Sequence, residues 1–264
     1  MRLDMLYSTF GDRVLDLINN IPAPHPKVKI IIVHQNPGVE TEKIIKEFLY
    51  IRNDVTYFSI ASIGVAKSRN FALKKATGDI ILFCDDDVIY NKNFQNDIIN
   101  SHKNNPHDGF ITFSYSYIGL NSRPPHFKNY QFKHNIRTIL SLGTIQISCK
   151  TKYISKFNFK FPEDMGAGTK NFLCDEPVFI SNFLKQGIPG SYIPISICMH
   201  QVESSGNIFN NIDAYNSRLL CFIRIFGLIK GRALYILFIM KNIRKFNSLK
   251  DIYTALKLVS RNTL

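Results

Sequence analysis

The chain of 264 residues predicts an α/β fold: a Rossmann-like, mostly parallel central sheet with helices on both faces, followed by a basic helical C-terminal extension. Three observations carry this expectation. Strand-like and helix-like segments alternate through the first 90 residues. Two of the strand-like runs, VKIIIV (28–33) and DIILFC (79–84), are almost continuously apolar, as in strands covered on both faces. From residue 204 onward only Asp213 and Asp251 are acidic, against ten bases set among apolar residues.

Taken in order, LDMLYS (3–8) reads as the first strand. In DRVLDLINNI (12–21), Val14, Leu15, Ile18 and Ile21 recur at helical spacing behind Asp12, a candidate cap. VKIIIV is the second strand, and TEKIIKEFLYI (41–51) returns to helical period through Ile44, Ile45, Phe48 and Leu49. VTYFSI (55–60) is the third strand. GVAKSRNFALKKATGD (64–79) is a helix with Lys74 and Lys75 in its last turn and Gly78 just beyond, before the fourth strand, DIILFC. This order predicts right-handed crossovers and ligands outside the carboxyl ends of the strands. Further on, 93–102 reads as a helix, 109–114 and 143–150 as strands, and 121–135 as a polar loop or lid. Residues 161–172 form a Gly-bearing loop, 175–187 a helix with Pro177 in its first turn and Gly187 at its end, and 192–200 a last strand.

Composition narrows the function classes. At 45% hydrophobic and 12% aromatic residues the chain is long enough to bury a sizeable core. Its cysteines (84, 149, 174, 198 and 221) are scattered and odd in number, which speaks against a disulfide framework or zinc cluster and for a reducing cytosol. The opening MRLDMLYSTFGDRV lacks the long apolar core of a signal peptide. The most apolar stretch, 219–241, is interrupted by Arg224, Lys230 and Arg232 and does not read as a membrane span. The basic tail, running to Arg261, fits contact with an anionic membrane surface or anionic lipid-linked substrate, and equally a solvated helical appendage. No nucleic-acid motif accompanies the net charge of +13, so nucleic acid is not an expected partner. Neither GxxxxGK[ST] nor a GxGxxG after the first strand is present, against a P-loop kinase or a dinucleotide oxidoreductase.

The feature that carries chemistry is ILFCDDDV (81–88), with Asp85, Asp86 and Asp87 at the carboxyl end of the fourth strand. Two unit charges about 4 Å apart repel by about 1 kcal/mol in water and about 4 kcal/mol at an effective dielectric of about 20. A solvated acidic turn tolerates that, whereas a half-buried one calls for a cation. A hard divalent ion, Mn²⁺ or Mg²⁺, would relieve the repulsion and attract phosphate oxygens.

The block GVAKSRNFALKKATGDIILFCDDDVIY (64–90) resembles the signature of glycosyltransferase family 2, whose members have the GT-A fold. The resemblance implies that the Asp cluster binds a nucleotide-sugar diphosphate through a metal. Asp87 is then the principal metal ligand, Asp85 a second, and Asp85 and Asp86 lie near the ribose and donor sugar. Arg69 matches a position that contacts the nucleotide. GAGTKNFLCDEPVFISNFLKQG (166–187) is similar to the acceptor-side block, whose carboxylate pair holds the general base. Position puts the base on Glu176 with Asp175 beside it, though Asp175-Glu176-Pro177 also makes a good helix start with Asp175 as N-cap. His200, near Ser204 and Ser205, matches a late histidine that completes a metal shell. VHQNPG (33–38) departs from the family's nucleotide-binding segment, leaving His34 or Gln35 to meet the base, while Thr9 and Phe10 in STFGD (8–12) border it.

The resemblance covers roughly 3–200 and divides the chain into a GT-A domain (1–203) and the extension (204–264). Within the domain, 1–114 holds the nucleotide-sugar and 115–203 shapes the acceptor side. It implies a metal-dependent, inverting transfer from a UDP-linked sugar to a saccharide or lipid-linked saccharide, as in bacterial capsule or lipopolysaccharide synthesis. The expected location is the cytoplasm, peripheral at the inner face of the cell membrane. Two alternatives stay open: a sugar nucleotidyltransferase, for which STFGDR is a poor triphosphate loop, and an inactive carbohydrate- or membrane-binding relative.

Overall fold

The computed structural model describes residues 1–119, 126–201 and 208–260. The start of the expected lid (121–125), the Ser204-Ser205 pair and Arg261 lie outside the described residues.

Strands β1 (Leu3–Phe10), β2 (Val28–Gln35), β3 (Val55–Ile60) and β4 (Ile80–Asp85) pair in parallel in the order β3-β2-β1-β4. Helices α1 (Arg13–Asn20), α2 (Val39–Tyr50) and α3 (Val65–Lys75) connect them, as the alternating pattern predicts. Beyond β4 the sheet continues through further strands. They are β5 (Ile89–Tyr90), β6 (Phe110–Tyr117), β7 (Phe132–Lys133), β8 (Ile147–Lys150) and β9 (Gly190–His200). The full order is β3-β2-β1-β4-β8-β6-β9-β5, with β7 on β9. β8 is antiparallel to both β4 and β6, while β6 and β9 are parallel. The sheet is therefore mostly parallel with antiparallel insertions.

Strand alternation sorts the core into two layers. Met5, Tyr7, Ile30, Ile32, Leu82 and Cys84 face one side, with Val14 and Leu17 of α1, Ile45 of α2, and Ile98 and Ile99 of α4 (Phe94–Asn104). Leu6, Ile31, Val33, Ile81 and Phe83 face the other. There they meet Ala66 and Ala72 of α3, Ile154 of α5 (Thr151–Phe157), and Phe179 and Phe183 of α6 (Asp175–Lys185). Because both faces are covered, β2 and β4 read as almost continuous apolar runs.

Several boundaries differ from the sequence reading, each for a local reason. Asp12 holds the N-cap position of α1, but its carboxylate makes no capping bond and instead accepts from Thr41 Oγ1 (2.9 Å), tying α1 to α2. α3 ends at Lys75, so Gly78 is not its stop. The Gly78 N–H instead donates to buried Asp4 Oδ2 at 2.7 Å, beside the Thr77 N–H at 2.6 Å. The expected strand at 143–150 begins as a 3₁₀ turn, Thr144–Gln146, and becomes strand only at Ile147. Gly187 does close α6, at φ +69°, with Ile188 N–H on Phe183 O and Gly187 N–H on Leu184 O.

The C-terminal extension is helical: α7 (Ile212–Phe226), α8 (Leu228–Lys241) and α9 (Leu249–Lys257). The three share a small core of Tyr215, Leu219, Phe222, Tyr235, Ile239 and Ala255. α7 also packs on α6, with Leu220, Cys221 and Ile225 against Val178 and Met165. Arg224 fixes the junction by pairing with Asp164 through both nitrogens, at 2.8 and 2.6 Å. Among the described residues no helix is long and apolar enough to cross a membrane.

Candidate active site

A cleft of about 860 Å³ opens at the carboxyl ends of β1, β2 and β4, where such sheets bind ligands. It is lined by the Asp triplet, by Arg69, and by Asp175 and Glu176. Its far wall comes from α7 and α8, through Arg218, Phe222 and Phe238.

Beneath the carboxylates lies an aromatic platform. Phe161 stacks on Phe179 at 4.1 Å, and Phe83 meets both edge-on at 5.0 and 5.5 Å. Phe83 stands two residues before Asp85 and Phe179 three residues after Glu176, so the platform sets β4 and α6 against each other. Above Phe161, at 5.4 Å from its centroid, sits the guanidinium of Arg69.

Arg69 is buried and holds the site together. Nη1 donates to Asp175 Oδ2 (2.8 Å) and Glu176 Oε1 (3.3 Å), and Nη2 to Asp85 Oδ1 (3.3 Å) and Thr144 Oγ1 (2.6 Å). Burial opposes its charge, but Asp175, Asp85 and Glu176 together hold its pKa above the ordinary value. Arg69, expected at the nucleotide, lines the cleft and pairs with three carboxylates, as a buried guanidinium needs. Thr144, which the sequence reading missed, accepts from Arg69 and donates to Glu176 Oε1. Nothing local marks Thr144; a hydroxyl in a 3₁₀ turn becomes a site residue only through the fold.

Asp175 and Glu176 differ in access. Asp175 is not the N-cap: Cys174 holds that place at φ +69°, and the Asp175 side chain, 4% exposed, turns inward to Arg69. Burial and neighbouring Glu176 push its pKa up to about 7, against the pull of Arg69. The Glu176 side chain is 15% exposed and reaches the cleft.

The triplet divides its work among three directions. Asp85 faces Arg69, and burial raises its pKa. Asp86 turns to β1, accepting from Thr9 Oγ1 (2.8 Å) and from Arg13, and burial raises its pKa to about 6 against both partners. Asp87 points out, with His200 Nε2 at 3.6 Å and Arg13 Nη2 at 3.5 Å. The polar contact between Asp87 and His200 lowers the pKa of the acid and raises that of the imidazole. Their meeting has a backbone cause. β5, just past the triplet, pairs antiparallel with the end of β9 in the register Ile89↔Met199, which sets Asp87 beside His200.

Of the three expected metal ligands, the fold brings Asp87 and His200 together at the cleft, while Asp85, which lines the same cleft, has one oxygen 3.3 Å from Arg69. Among the described residues no group of three or more His, Cys, Asp or Glu side chains converges as a ready ligand cluster. A carboxylate oxygen and an imidazole nitrogen side by side at the cleft mouth fit a divalent ion that takes its other ligands from phosphate and water.

On the nucleotide side, Thr9 supports Asp86, and Phe10 is exposed at the cleft edge, where a base can stack on it. His34 is fully buried, with Nε2 on Gly11 O (2.8 Å) and Nδ1 on Tyr57 Oη (2.9 Å). One ring nitrogen braces the turn after β1 and the other meets β3, so His34 does not offer an edge to a base. Gln35 lines the cleft, and its amide nitrogen is tied to the Ser62 and Gly64 carbonyls. Arg13, inside the quoted STFGDR, is a further residue the sequence reading passed over; its place one turn beyond β1 was the available signal.

The Gly-bearing loop earns its glycines by contact with Asp175. Gly166 has φ +88°, and a Cβ there would lie 2.9 Å from Asp175 Cγ and 2.8 Å from Val65 Cγ1. Gly166→Ala is expected to destabilise the fold by about 1–3 kcal/mol, from strained φ and overpacking together. A urea midpoint unchanged from the parent protein would contradict this.

The sequence profile of the family described as Glycosyl transferase family 2 matches residues 8–171. No curated protein matches the chain in sequence. Among solved structures the chain is similar to S. aureus TarS 1–349 in complex with UDP-GlcNAc, at TM-score 0.69 and 15% identity, covering 97% of this chain and 79% of that one. It is similar also to the mannosyltransferase PcManGT from Pyrobaculum calidifontis in complex with GDP-Man and Mn²⁺, at TM-score 0.61 and 14% identity, covering 99% and 81%. Against the longer S. aureus TarS structure (TM-score 0.65, 17% identity) it covers 94% of its own length but spans only 44% of that chain. At such identities the likeness concerns the fold, which is GT-A.

Proposed function

The chain belongs to glycosyl transferase family 2 and is a glycosyltransferase of GT-A fold, and on that premise we propose a metal-dependent, inverting transfer of a sugar from a UDP-sugar to a saccharide or lipid-linked saccharide. The observation that carries the reading is the arrangement around Arg69. One guanidinium binds Asp85 on the donor side and Asp175 and Glu176 on the acceptor side, so both halves of the reaction share one cleft.

In this mechanism Glu176, oriented by Thr144 and Arg69, takes the proton of the acceptor hydroxyl as that oxygen attacks the anomeric carbon. Asp175 is too enclosed for that role and serves to hold Arg69. Phe10 stacks on the base, and Asp86, fixed by Thr9 and Arg13, faces the ribose. Asp87 and His200 would hold the divalent ion, whose charge would offset that of the departing diphosphate. Their mixed oxygen and nitrogen donors favour Mn²⁺ over Mg²⁺, which prefers oxygen alone. UDP as donor nucleotide is supported by the UDP-GlcNAc bound in the TarS structure, while the GDP-Man in the other neighbour makes GDP the comparison to run.

The functional units of this reading are residues 1–203 as transferase and 204–264 as an extension that also walls the cleft. A cytoplasmic place beside an anionic membrane, and a part in bacterial capsule or lipopolysaccharide synthesis, complete the proposal; the basic tail supports the former. Calorimetric titration tests the donor site. UDP is expected to bind at least about tenfold more tightly with Mn²⁺ than without it, a gain of about 1.4 kcal/mol, since a divalent ion at Asp87 and His200 would attract the diphosphate. Asp87→Asn is expected to remove that gain. Equal metal dependence in the variant would sink the assignment, and tighter binding of GDP would move the donor class.

A further inference from the structure

Helix α8, LIKGRALYILFIMK, is apolar on almost every side, a pattern that normally means burial all round. Yet only one side is covered: Gly231, Tyr235 and Ile239 are buried in the α7–α9 core. On the opposite stripe Ile229 is 83% exposed, Leu237 59% and Met240 63%. The spacing 229, 237, 240 keeps these on one face. α9 repeats the arrangement, with Leu249 84% and Tyr253 65% exposed opposite buried Ala255. Lys230, Lys241 and Arg244 accompany the first stripe, and Lys250 and Lys257 the second. Asp251, the acid of this stretch, accepts from Ser248 Oγ at the start of α9.

The side of α8 turned inward also reaches the active site. Phe238 lines the cleft, at a spacing that places it across the helix from Ile229 and Met240, and Asn242 and Lys245, just past the helix end, line it too. A single helix, about 10 Å thick, thus separates the far end of the cleft from the exposed apolar stripe.

We propose that the outer stripes of α8 and α9 dock on an anionic bilayer surface, and that the acceptor is anchored in that bilayer and enters the cleft across the α8 edge. The second half of this rests on the glycosyltransferase reading; the docking itself does not. Charge selects the occupant. Lysines of one sign around large aliphatic side chains match an anionic headgroup layer above acyl chains. Lys is depleted in the cores of protein interfaces, and a second copy of this face would bring like charges together.

Sedimentation of the full chain with vesicles tests it. Binding to phosphatidylcholine mixed with phosphatidylglycerol is expected to exceed binding to phosphatidylcholine alone by at least about tenfold, because each basic residue near an anionic surface adds attraction. The double variant Leu237→Glu/Met240→Glu is expected to lose at least about tenfold of that binding, as is Leu249→Glu/Tyr253→Glu. Both variants should hydrolyse the nucleotide-sugar at the parent rate, since none of these residues touches the cleft chemistry. No preference for anionic vesicles, or variants that bind them undiminished, overturns the proposal. So does light scattering that shows the parent as a dimer and the variants as monomers. Loss of donor hydrolysis in the parent itself would strike the enzymatic reading and leave the docking result standing.

Discussion

Replacing Glu176 by Gln is expected to lower sugar transfer by about 10²–10⁴-fold, the contribution typical of a positioned general base, while UDP affinity stays at the parent value. The amide keeps the size of the side chain, and its oxygen can still accept from Thr144 and Arg69, as Glu176 Oε1 does. What it cannot do is take a proton. In the proposed mechanism donor affinity belongs instead to Phe10, Asp86 and Asp87, on the β1–β4 side of the cleft. The split between lost turnover and kept binding therefore separates a base from a structural carboxylate. Retained transfer in Glu176→Gln would remove it from the mechanism. A parallel loss of UDP affinity would mean that the α6 terminus had shifted.

The largest effect on stability is expected from Arg69→Met, about 3–5 kcal/mol, the range for removing one partner of a buried ion cluster. Met fills much of the space above Phe161, so the loss is mainly electrostatic: Asp85, Asp175 and Glu176 would face one another without a cation. The sign of the pH dependence follows. With Arg69 present, the Asp175 carboxyl already sits at about 7, well above an unfolded aspartate. The folded state therefore binds the extra proton between about pH 4 and 7. The stability linked to that proton is complete below about pH 4 and lost as pH rises through about 7. Removing the guanidinium takes away the one influence of Arg69 that lowers this pKa, so the deficit of the variant should be larger at pH 8 than at pH 5. Urea midpoints at the two pH values measure it. Equal deficits would place the loss in packing above Phe161 rather than in charge.

Much of this site was legible before folding. Asp85, Asp86 and Asp87 end a strand whose apolar run is unmistakable, and their repulsion calls for cations once they are partly buried. The fold shows who answers: Arg69 for Asp85, Arg13 and Thr9 for Asp86, His200 and Arg13 for Asp87. Local pattern could not show this, because each partner comes from a different element. His34 shows the opposite failure. Beside VHQNPG it reads as a ligand contact, but strand alternation turns it inward to Tyr57 and Gly11. Asp175 likewise passes for a helix cap in the sequence, until a positive φ at Cys174 turns the chain and sends the carboxylate to Arg69.

The C-terminal helices mark the same divide. Composition alone identified a basic, apolar, helical tail too interrupted to span a membrane, because charge and apolar content are sums that need no contacts. Which side of α8 is covered, and that its inner side lines the cleft, depends on packing against α7 and α9. The sequence by itself determined the alternating α/β order, the two-sided strands and the acidic strand end, all set by periodicity within a few turns of chain. Only the tertiary structure decided that Arg69 bridges Asp85 to Asp175 and Glu176, and that β5 pairing with β9 sets Asp87 beside His200. Those contacts join residues about 16 to 113 positions apart, and it is burial that makes each charge depend on its partner.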